Sequence, residues 1–148
     1  MFNKIVVGVD GSEASQRALQ LTCDLAAKYQ SEIHLVHTPQ PQTVAFAMGA
    51  VAGYHAVTTM PSTEEVDEAC EKILHSAKTV ATEHGVKITE SHTEHGNPAE
   101  RLIACAEQCG ADLIVTGRRG LGSVGTLVLG STTQSVNHHA TCACLSVV

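Results

Sequence analysis

Residues 111–134 read ADLIVTGRRGLGSVGTLVLGSTTQ, and the order of residue types in this stretch decides the fold. Its first part, residues 113–115 (LIV), is an apolar run that is typical of a buried strand. A loop follows that contains glycines at positions 117, 120, 122, 125 and 130. Ser131 and Gln134 then have the spacing of a capping box, which predicts that a helix starts there.

The glycine-rich loop has the composition of an anion-binding loop. Glycines let backbone N–H groups approach a ligand closely, at φ values that other residues resist. The N-terminus of the following helix adds unpaired N–H donors and a partial positive charge. We therefore expect this segment to bind an anion such as phosphate. It is not a Walker P-loop, because no Gly-Lys-Ser/Thr follows the glycines.

The spacing of the segment is Gly117-x2-Gly120-x9-Gly130-Ser131. It resembles the nucleotide-binding signature of the universal stress protein family, and the unbroken form is typical of members that bind ATP. The beginning of the chain is similar too, because family members open with a strand that leads to Asp and Gly-Ser, as at residues 10–12 here. The resemblance extends over nearly the whole chain except residues 39–61.

Outside this segment, apolar strands alternate with amphipathic helices. Strands are predicted at residues 4–10, 31–38, 86–94, 113–117 and 141–148, the third of them at an edge. Helices are predicted to begin after Ser12, at Ser62 with a Glu65 capping box, at Pro98 and near Thr132. Five strands alternating with four helices favour an α/β fold with a doubly wound parallel sheet.

The resemblance implies the strand order 3-2-1-4-5 of a Rossmann-like sheet with helices on both faces. In that order the chain reverses between strands one and four, and ligands bind in the crevice there. The resemblance also implies ATP, or ADP or AMP, with Mg²⁺ accompanying the phosphates. It further implies a homodimer through the C-terminal strand, although residues 142–148 (CACLSVV) depart from the Cys-Pro-Val-Leu-Val-Val common in the family.

The residues expected to hold the nucleotide follow from the same resemblance. The residue matching Asp10 contacts the adenosine portion, and the one matching Thr38 contacts adenine through its backbone. The matching positions of the loop lie near the ribose and phosphates and comprise Gly117, Gly120, Gly122, Gly130, Ser131 and Thr132. The alternative for Asp10 is a turn residue that starts a helix and binds no ligand.

Arg118 and Arg119 lie inside the glycine loop. One of them neutralises phosphate charge in the nucleotide-binding interpretation, because a charge-assisted hydrogen bond is favourable there. The alternative is that both consecutive arginines point to solvent.

Residues 39–61 contain no Asp, Glu, Lys or Arg and are rich in Ala, Gly, Val and Thr. A structureless loop of this length is unusual in a compact domain. We expect an irregular loop with a helical turn that covers the sheet edge; a lid over the nucleotide and an oligomer contact are the alternatives.

The 148 residues, 43% of them hydrophobic, have the size and composition of one domain, and no internal repeat is visible. The formal charge of −6 argues against general binding of nucleic acid or anionic membranes. We see no signal peptide and no apolar run of about 20 residues, the length of a membrane helix. These features predict a cytoplasmic protein whose six cysteines are reduced.

The nine histidines and six cysteines invite a metal hypothesis, since Cys105 and Cys109 lie one helical turn apart and His138 and His139 precede Cys142. A zinc site needs four converging ligands, and the spacing does not indicate such a set, so no metal site is predicted. No paired carboxylates and no nucleophile beside a base are evident either. Binding is therefore favoured over catalysis, with slow ATP hydrolysis at most.

The sequence thus favours an ATP-binding, regulatory universal stress protein-like domain whose nucleotide state alters contacts with an unknown protein partner. An interaction protein that binds no nucleotide and uses residues 39–61 is the alternative from another class. A weak ATP hydrolase or a nucleotidyl-transferring enzyme on a related fold is a third.

Overall fold

The computed structural model describes residues 1–49, 61–121 and 129–148. The strands in these ranges are β1 (Lys4–Gly8), β2 (Glu32–His37), β3 (Ile88–Thr93), β4 (Leu113–Gly117) and β5 (Ala143–Val147). The helices are α1 (Glu13–Tyr29), α2 (Pro41–Ala47), α3 (Thr63–Glu83), α4 (Pro98–Cys109) and α5 (Ser131–His139).

The five strands form one sheet in the order β3-β2-β1-β4-β5, and every adjacent pair is parallel. This confirms the predicted α/β fold, the strand order and the edge position of the third strand. The central strands are apolar and buried on both faces, as in β1, where Ile5, Val6 and Val7 are fully buried.

Two hydrophobic cores lie on the two faces of the sheet, because successive strand side chains point in opposite directions. Ile5, Val7 and Leu35 belong to one core together with residues of α1 and α3. Val6 and Val36 belong to the other, which includes residues of α4 and α5. The sheet is thus covered by helices on both sides, as predicted.

Most predicted helix ends are confirmed. The Ser12 hydroxyl accepts from the Ser15 N–H, and Ser62 and Glu65 form the reciprocal bonds of a capping box. Pro98 is the first residue of α4, and Gly110 ends that helix in the left-handed conformation at φ 68°.

The start of α5 differs from the prediction. The N-cap is Gly130, which makes no side-chain cap, and Ser131 is already helical, so Ser131 and Gln134 do not form a capping box. The Gly130 N–H donates to the Arg118 carbonyl at 2.9 Å, and the Gln134 N–H donates to the Gly130 carbonyl at 2.9 Å. This anchoring of Gly130 to the end of β4 sets the helix start at Ser131.

Two further details differ from the prediction. A helix, α2, lies where an irregular loop with a helical turn was expected: Pro41 is its first residue, and the Gln40 N–H donates to Thr43 Oγ1 at 2.8 Å. Residues 50–60 of that segment lie outside the described residues. Strand β3 begins at Ile88 rather than at Val86, whose N–H donates to the Ala81 carbonyl and so closes the end of α3.

None of the helices in the described ranges is both long enough and apolar enough to cross a membrane.

Candidate functional site

A cleft of about 860 Å³ opens at the carboxyl ends of the central strands. It lies where β1 and β4 are neighbours, which is the point at which the strand order reverses. The cleft is bounded by the ends of β1, β2 and β4, the beginnings of α1, α2, α4 and α5, and the segments around Gly120 and Leu129.

The structure brings most of the predicted site residues together in this cleft. Its lining includes Asp10, Thr38, Gly117, Arg119, Gly120, Gly130, Ser131 and Thr132. Arg118 is not among the lining residues; its backbone N–H donates to Val147 and its carbonyl accepts from Gly130. Gly122 was also predicted to bind the nucleotide, but it lies outside the described residues.

Asp10 forms a short turn at the end of β1. Its Oδ1 accepts from the Ser12 N–H at 2.9 Å, and Ser12 in turn caps α1. A Cβ at Gly120 would lie 2.6 Å from Asp10 Oδ2, so the end of the Asp10 side chain would have to shift to accommodate it. Gly120 therefore lets the loop backbone pass directly against the carboxylate.

Close packing also explains Gly117. A Cβ there would lie 2.7 Å from the carbonyl carbon of Ala14 and 2.8 Å from the nitrogen of Ser15, both in the backbone of α1. Neither Gly117 nor Gly120 nor Gly130 has a positive φ. The expectation that these loop glycines supply unusual φ values was therefore wrong for these three; at Gly117 the constraint is steric, and at Gly120 a Cβ would displace the Asp10 carboxylate.

The N-terminus of α5 faces the cleft through Gly130, Ser131 and Thr132. The first N–H groups of a helix have no partner within the helix, and no side chain of Gly130 covers them. The first turn of α5 also contains no acidic residue. This end of the helix is thus available to an anion, with the partial positive charge of the helix dipole behind it.

The end of β4 holds α5 in position through two threonines. Thr133 Oγ1 donates to the Gly117 carbonyl at 2.8 Å and lies 3.3 Å from Thr116 Oγ1. Both threonines line the cleft, although the sequence analysis did not select them. They are identified only by the contact between the end of β4 and the start of α5. This is a tertiary contact, which the sequence does not show.

The opposite wall is formed by the end of β2 and by α2. Thr38 is 7% exposed, and its Oγ1 has no hydrogen-bond partner among the described residues. Gln40, Gln42 and Thr43 also line the cleft. The beginning of the 39–61 segment is therefore a wall of the cleft, which sequence reasoning missed; the Gln-x-x-Thr capping pattern was the available signal.

His37, the last residue of β2, directly precedes Thr38 of this wall. It is fully buried, and its Nδ1 lies 2.8 Å from the Val9 carbonyl, which places the proton of the neutral ring on Nδ1. Burial lowers the pKa of His37 below 6.5, while the Val9 carbonyl and the Asp10 charge oppose the shift. The ring is thus held neutral and does not add a cation to the cleft.

The chemistry of the lining is that of a binding site. It offers helix N–H donors and Arg119 to an anion, and the Asp10 carboxylate to hydroxyl or amino donors. Among the described lining residues, Asp10 is the single carboxylate and there is no histidine or cysteine. The described lining therefore provides neither a carboxylate pair nor a base beside a nucleophile.

Comparison with known proteins agrees with this geometry. The sequence model of the universal stress protein family matches residues 1–147. The chain belongs to the universal stress protein family. It is 33% identical over 150 aligned positions to universal stress protein YxiE of Bacillus subtilis, with 99% of each chain covered.

Solved members of the family share the fold. One is a universal stress protein in complex with cAMP, with a TM-score of 0.71 and 24% identity, covering 99% of this chain and 97% of that one. Another is the Archaeoglobus fulgidus protein in complex with dAMP, with a TM-score of 0.67 and 21% identity, covering 99% and 98%.

Proposed function

We propose that the cleft binds an adenine nucleotide, with ATP as the preferred form, and that nucleotide occupancy regulates contacts with a protein partner. The observation that carries this proposal is the N-terminus of α5, which has no side-chain cap, at a switch-point cleft that also contains the Asp10 carboxylate. The helix N-terminus suits phosphate, and the carboxylate suits the hydroxyl and amino groups of a nucleoside.

In this arrangement each cleft residue has a defined task. The N–H groups of Ser131 and Thr132 donate to phosphate oxygens, and Arg119 neutralises phosphate charge. The Asp10 carboxylate, whose Oδ1 also accepts from the Ser12 N–H, accepts from the ribose or the adenine amino group. The backbone of Thr38 faces adenine.

Mg²⁺ fits this site as an ion held by the nucleotide. It keeps several waters and usually takes one or two carboxylates together with phosphate oxygens. Asp10 is the single carboxylate among the described lining residues, so the phosphates would supply the remaining ligands. The ion would neutralise phosphate charge and would not need a protein cage of its own.

The related structures support an adenine nucleotide in general, since one contains cAMP and another dAMP. Both of those ligands carry one phosphate, so the preference for ATP is a separate part of the proposal. The test is isothermal titration of nucleotide-free protein with ATP, ADP, AMP and cAMP, each with and without Mg²⁺. We expect ATP with Mg²⁺ to bind most tightly; no heat or saturation with any of the four refutes the proposal.

We also propose a homodimer through β5. This strand lies at the edge of the sheet, and its sequence ACLSV contains no Lys, Pro or acidic residue that would block pairing with another strand. Two copies related by a twofold axis would pair their β5 strands and extend the sheet across both protomers. In such a dimer, the surface formed by the two protomers together is a second place at which nucleotide occupancy affects the binding of a partner.

A further inference from the structure

A cluster of metal-ligating side chains lies on the sheet face covered by α4, apart from the nucleotide cleft. His34 on β2 and the two cysteines of α4, Cys105 and Cys109, present one ligand atom each, and these atoms all lie within 4.8 Å of one another. Glu90 and His92 on β3 form a second such set with the same His34. None of these residues lines the cleft.

The fold brings these residues together through strand register and helix periodicity. His34 pairs with Glu90 and Val36 pairs with His92 in the parallel β2–β3 ladder, so all four side chains share the face that α4 covers. The cysteines are four residues apart on α4, and residues at this spacing lie on one face of a helix.

His34 is the observation that points to a ligand. The residue is 4% exposed, yet neither ring nitrogen has a hydrogen-bond partner within the described part of the chain. Leaving a buried donor or acceptor unsatisfied is costly, so native proteins rarely do so without a compensating role. His92 differs from His34, because its Nε2 lies 3.3 Å from Glu90 Oε2, and its ring is stacked on the His34 ring with the centroids 5.9 Å apart.

Carboxylates are placed to support a metal-bound imidazole. Glu90 Oε2 lies 3.7 Å from His34 Nδ1, and Glu32 Oε2 lies 4.0 Å from His34 Nε2. Neither distance is a hydrogen bond, but each ring nitrogen has a carboxylate within 4.0 Å, so whichever nitrogen binds an ion, a carboxylate lies near the other. This is the common arrangement in which a carboxylate orients a histidine ligand and raises its basicity.

We propose that His34, Cys105 and Cys109 bind a zinc-like divalent metal ion, with water, Glu90 or His92 completing four ligands. Two sulfurs and one imidazole nitrogen form a ligand set that zinc prefers, and magnesium and calcium do not. The ion would tie the C-terminal half of α4 to β2 and β3 at the sheet edge. Because α4 begins at the cleft with Pro98, the site would also fix the helix that carries one cleft wall.

The proposal is tested on the full chain without a polyhistidine tag, in a phosphine reductant. The protein is stripped with a chelator, dialysed against zinc without nucleotide, and analysed for bound metal. We expect one zinc per chain and an increased melting temperature. Cobalt(II) in place of zinc should give the intense thiolate-to-metal absorption that oxygen-ligated cobalt lacks.

Matched variants assign the ligands. Cys109→Ala and His34→Gln should lose the bound zinc and the zinc-dependent rise in melting temperature, whereas Cys70→Ala, on a helix of the other sheet face, should retain both. Glu90→Gln should weaken zinc binding by about tenfold if the carboxylate only orients His34. Cys109 is only half-buried, so Cys109→Ala keeps a folded variant in the set.

Two results would overturn the proposal. One is a wild-type protein that binds no zinc after dialysis and gives no thiolate absorption with cobalt. The other is zinc retained by Cys109→Ala and His34→Gln but lost on replacing Cys142 and Cys144, which also lie in this core and would then be the ligands.

Discussion

Gly130 is a residue at which a substitution is expected to weaken nucleotide binding without destabilising the fold. Its φ of −57° and ψ of 148° suit any residue, and a Cβ there would meet its nearest neighbour, the Arg118 carbonyl, at 3.4 Å. Gly130→Asp would place a favourable N-cap at the start of α5, together with a negative charge where the phosphates are proposed to lie. We predict an unchanged or higher melting temperature and an ATP affinity at least about tenfold lower, a loss of about 1.4 kcal/mol or more.

Gly130→Ala is the matched control, because it adds a Cβ without a charge or a cap. Its ATP affinity should remain within a few-fold of wild type, measured by the same titration. An unchanged affinity in Gly130→Asp would show that phosphate does not lie at the start of α5.

At Gly117, unlike at Gly130, substitution by alanine is expected to destabilise the fold. Gly117→Ala drives a Cβ to 2.7 Å from the backbone of α1, which cannot move without disturbing the sheet contacts of that helix. We predict a loss of about 1–3 kcal/mol in the free energy of unfolding, measured by urea denaturation. Gly130→Ala serves again as the control, and equal stability of the two variants would contradict the steric account of Gly117.

His37 predicts a pH dependence of stability. Its pKa is lowered by burial in the folded state, so the unfolded chain, with a pKa near 6.5, binds the proton more readily. The stability from neutral His37 is complete above pH 6.5 and decreases as the pH falls below that value. We expect the melting temperature of wild type to fall with acidification more steeply than that of His37→Asn.

The Asn variant keeps an amide N–H for the Val9 carbonyl but has no ionisable ring. Parallel melting curves for the two proteins between pH 7.5 and about pH 5 would show that His37 does not carry this dependence.

At the scale of elements, the backbone directions in β5 indicate which residue can be changed to disrupt the proposed dimer without unfolding the chain. The Ala143 N–H and the Val147 carbonyl are directed toward β4, where they bond to Asp112 and Arg118. Alternate residues point the other way, so Ser146 directs its N–H to the open edge. Ser146→Pro should therefore remove a donor from the proposed dimer interface and leave the pairing with β4 intact.

We predict that Ser146→Pro is a folded monomer by light scattering and that Ser146→Val, which keeps the N–H, remains a dimer. A wild-type monomer, or a Ser146→Pro dimer of unchanged affinity, would contradict pairing through β5.

The sheet was predictable from the sequence because its strands are short apolar runs between turn and capping residues. Strand β1 and the run before Gly117 are apolar on both faces, which indicates central parallel strands without any tertiary information. The wrong boundaries arose where tertiary bonds decide, as at Gly130, where a hydrogen bond to Arg118 fixes the start of α5. Helix α2 was expected only as a helical turn in an irregular loop, because its start at Gln40 to Thr43 lies in a segment without a charged residue.

Part of the candidate site was also predictable from the sequence. The glycine spacing placed Gly117, Gly120 and Gly130 at one cleft, since all three follow a strand or precede a helix. The threonine contact between β4 and α5 was not predictable, because it depends on how a helix docks. The cluster around His34 was hidden for the same reason: it joins β2, β3 and α4 across a bulge in the β2–β3 register at Ile33 and His34.

At the scale of the whole molecule, the two sheet faces and the strand ends have different tasks. The carboxyl ends of β1 and β4 form the cleft, the outer edge of β5 is the proposed dimer contact, and the face under α4 holds the histidine–cysteine cluster. Helix α4 connects the first and third of these, because it begins at the cleft and its cysteines lie in the cluster. Occupancy of the cleft is the central claim, since the proposed regulation depends on it.

The most direct test is to measure the nucleotide bound per chain. Freshly purified protein is denatured, and the released nucleotide is identified and quantified by chromatography, with a second sample first dialysed against ATP and Mg²⁺. The account predicts about one adenine nucleotide per chain in the dialysed sample. A protein that releases none, both as purified and after dialysis, would contradict it.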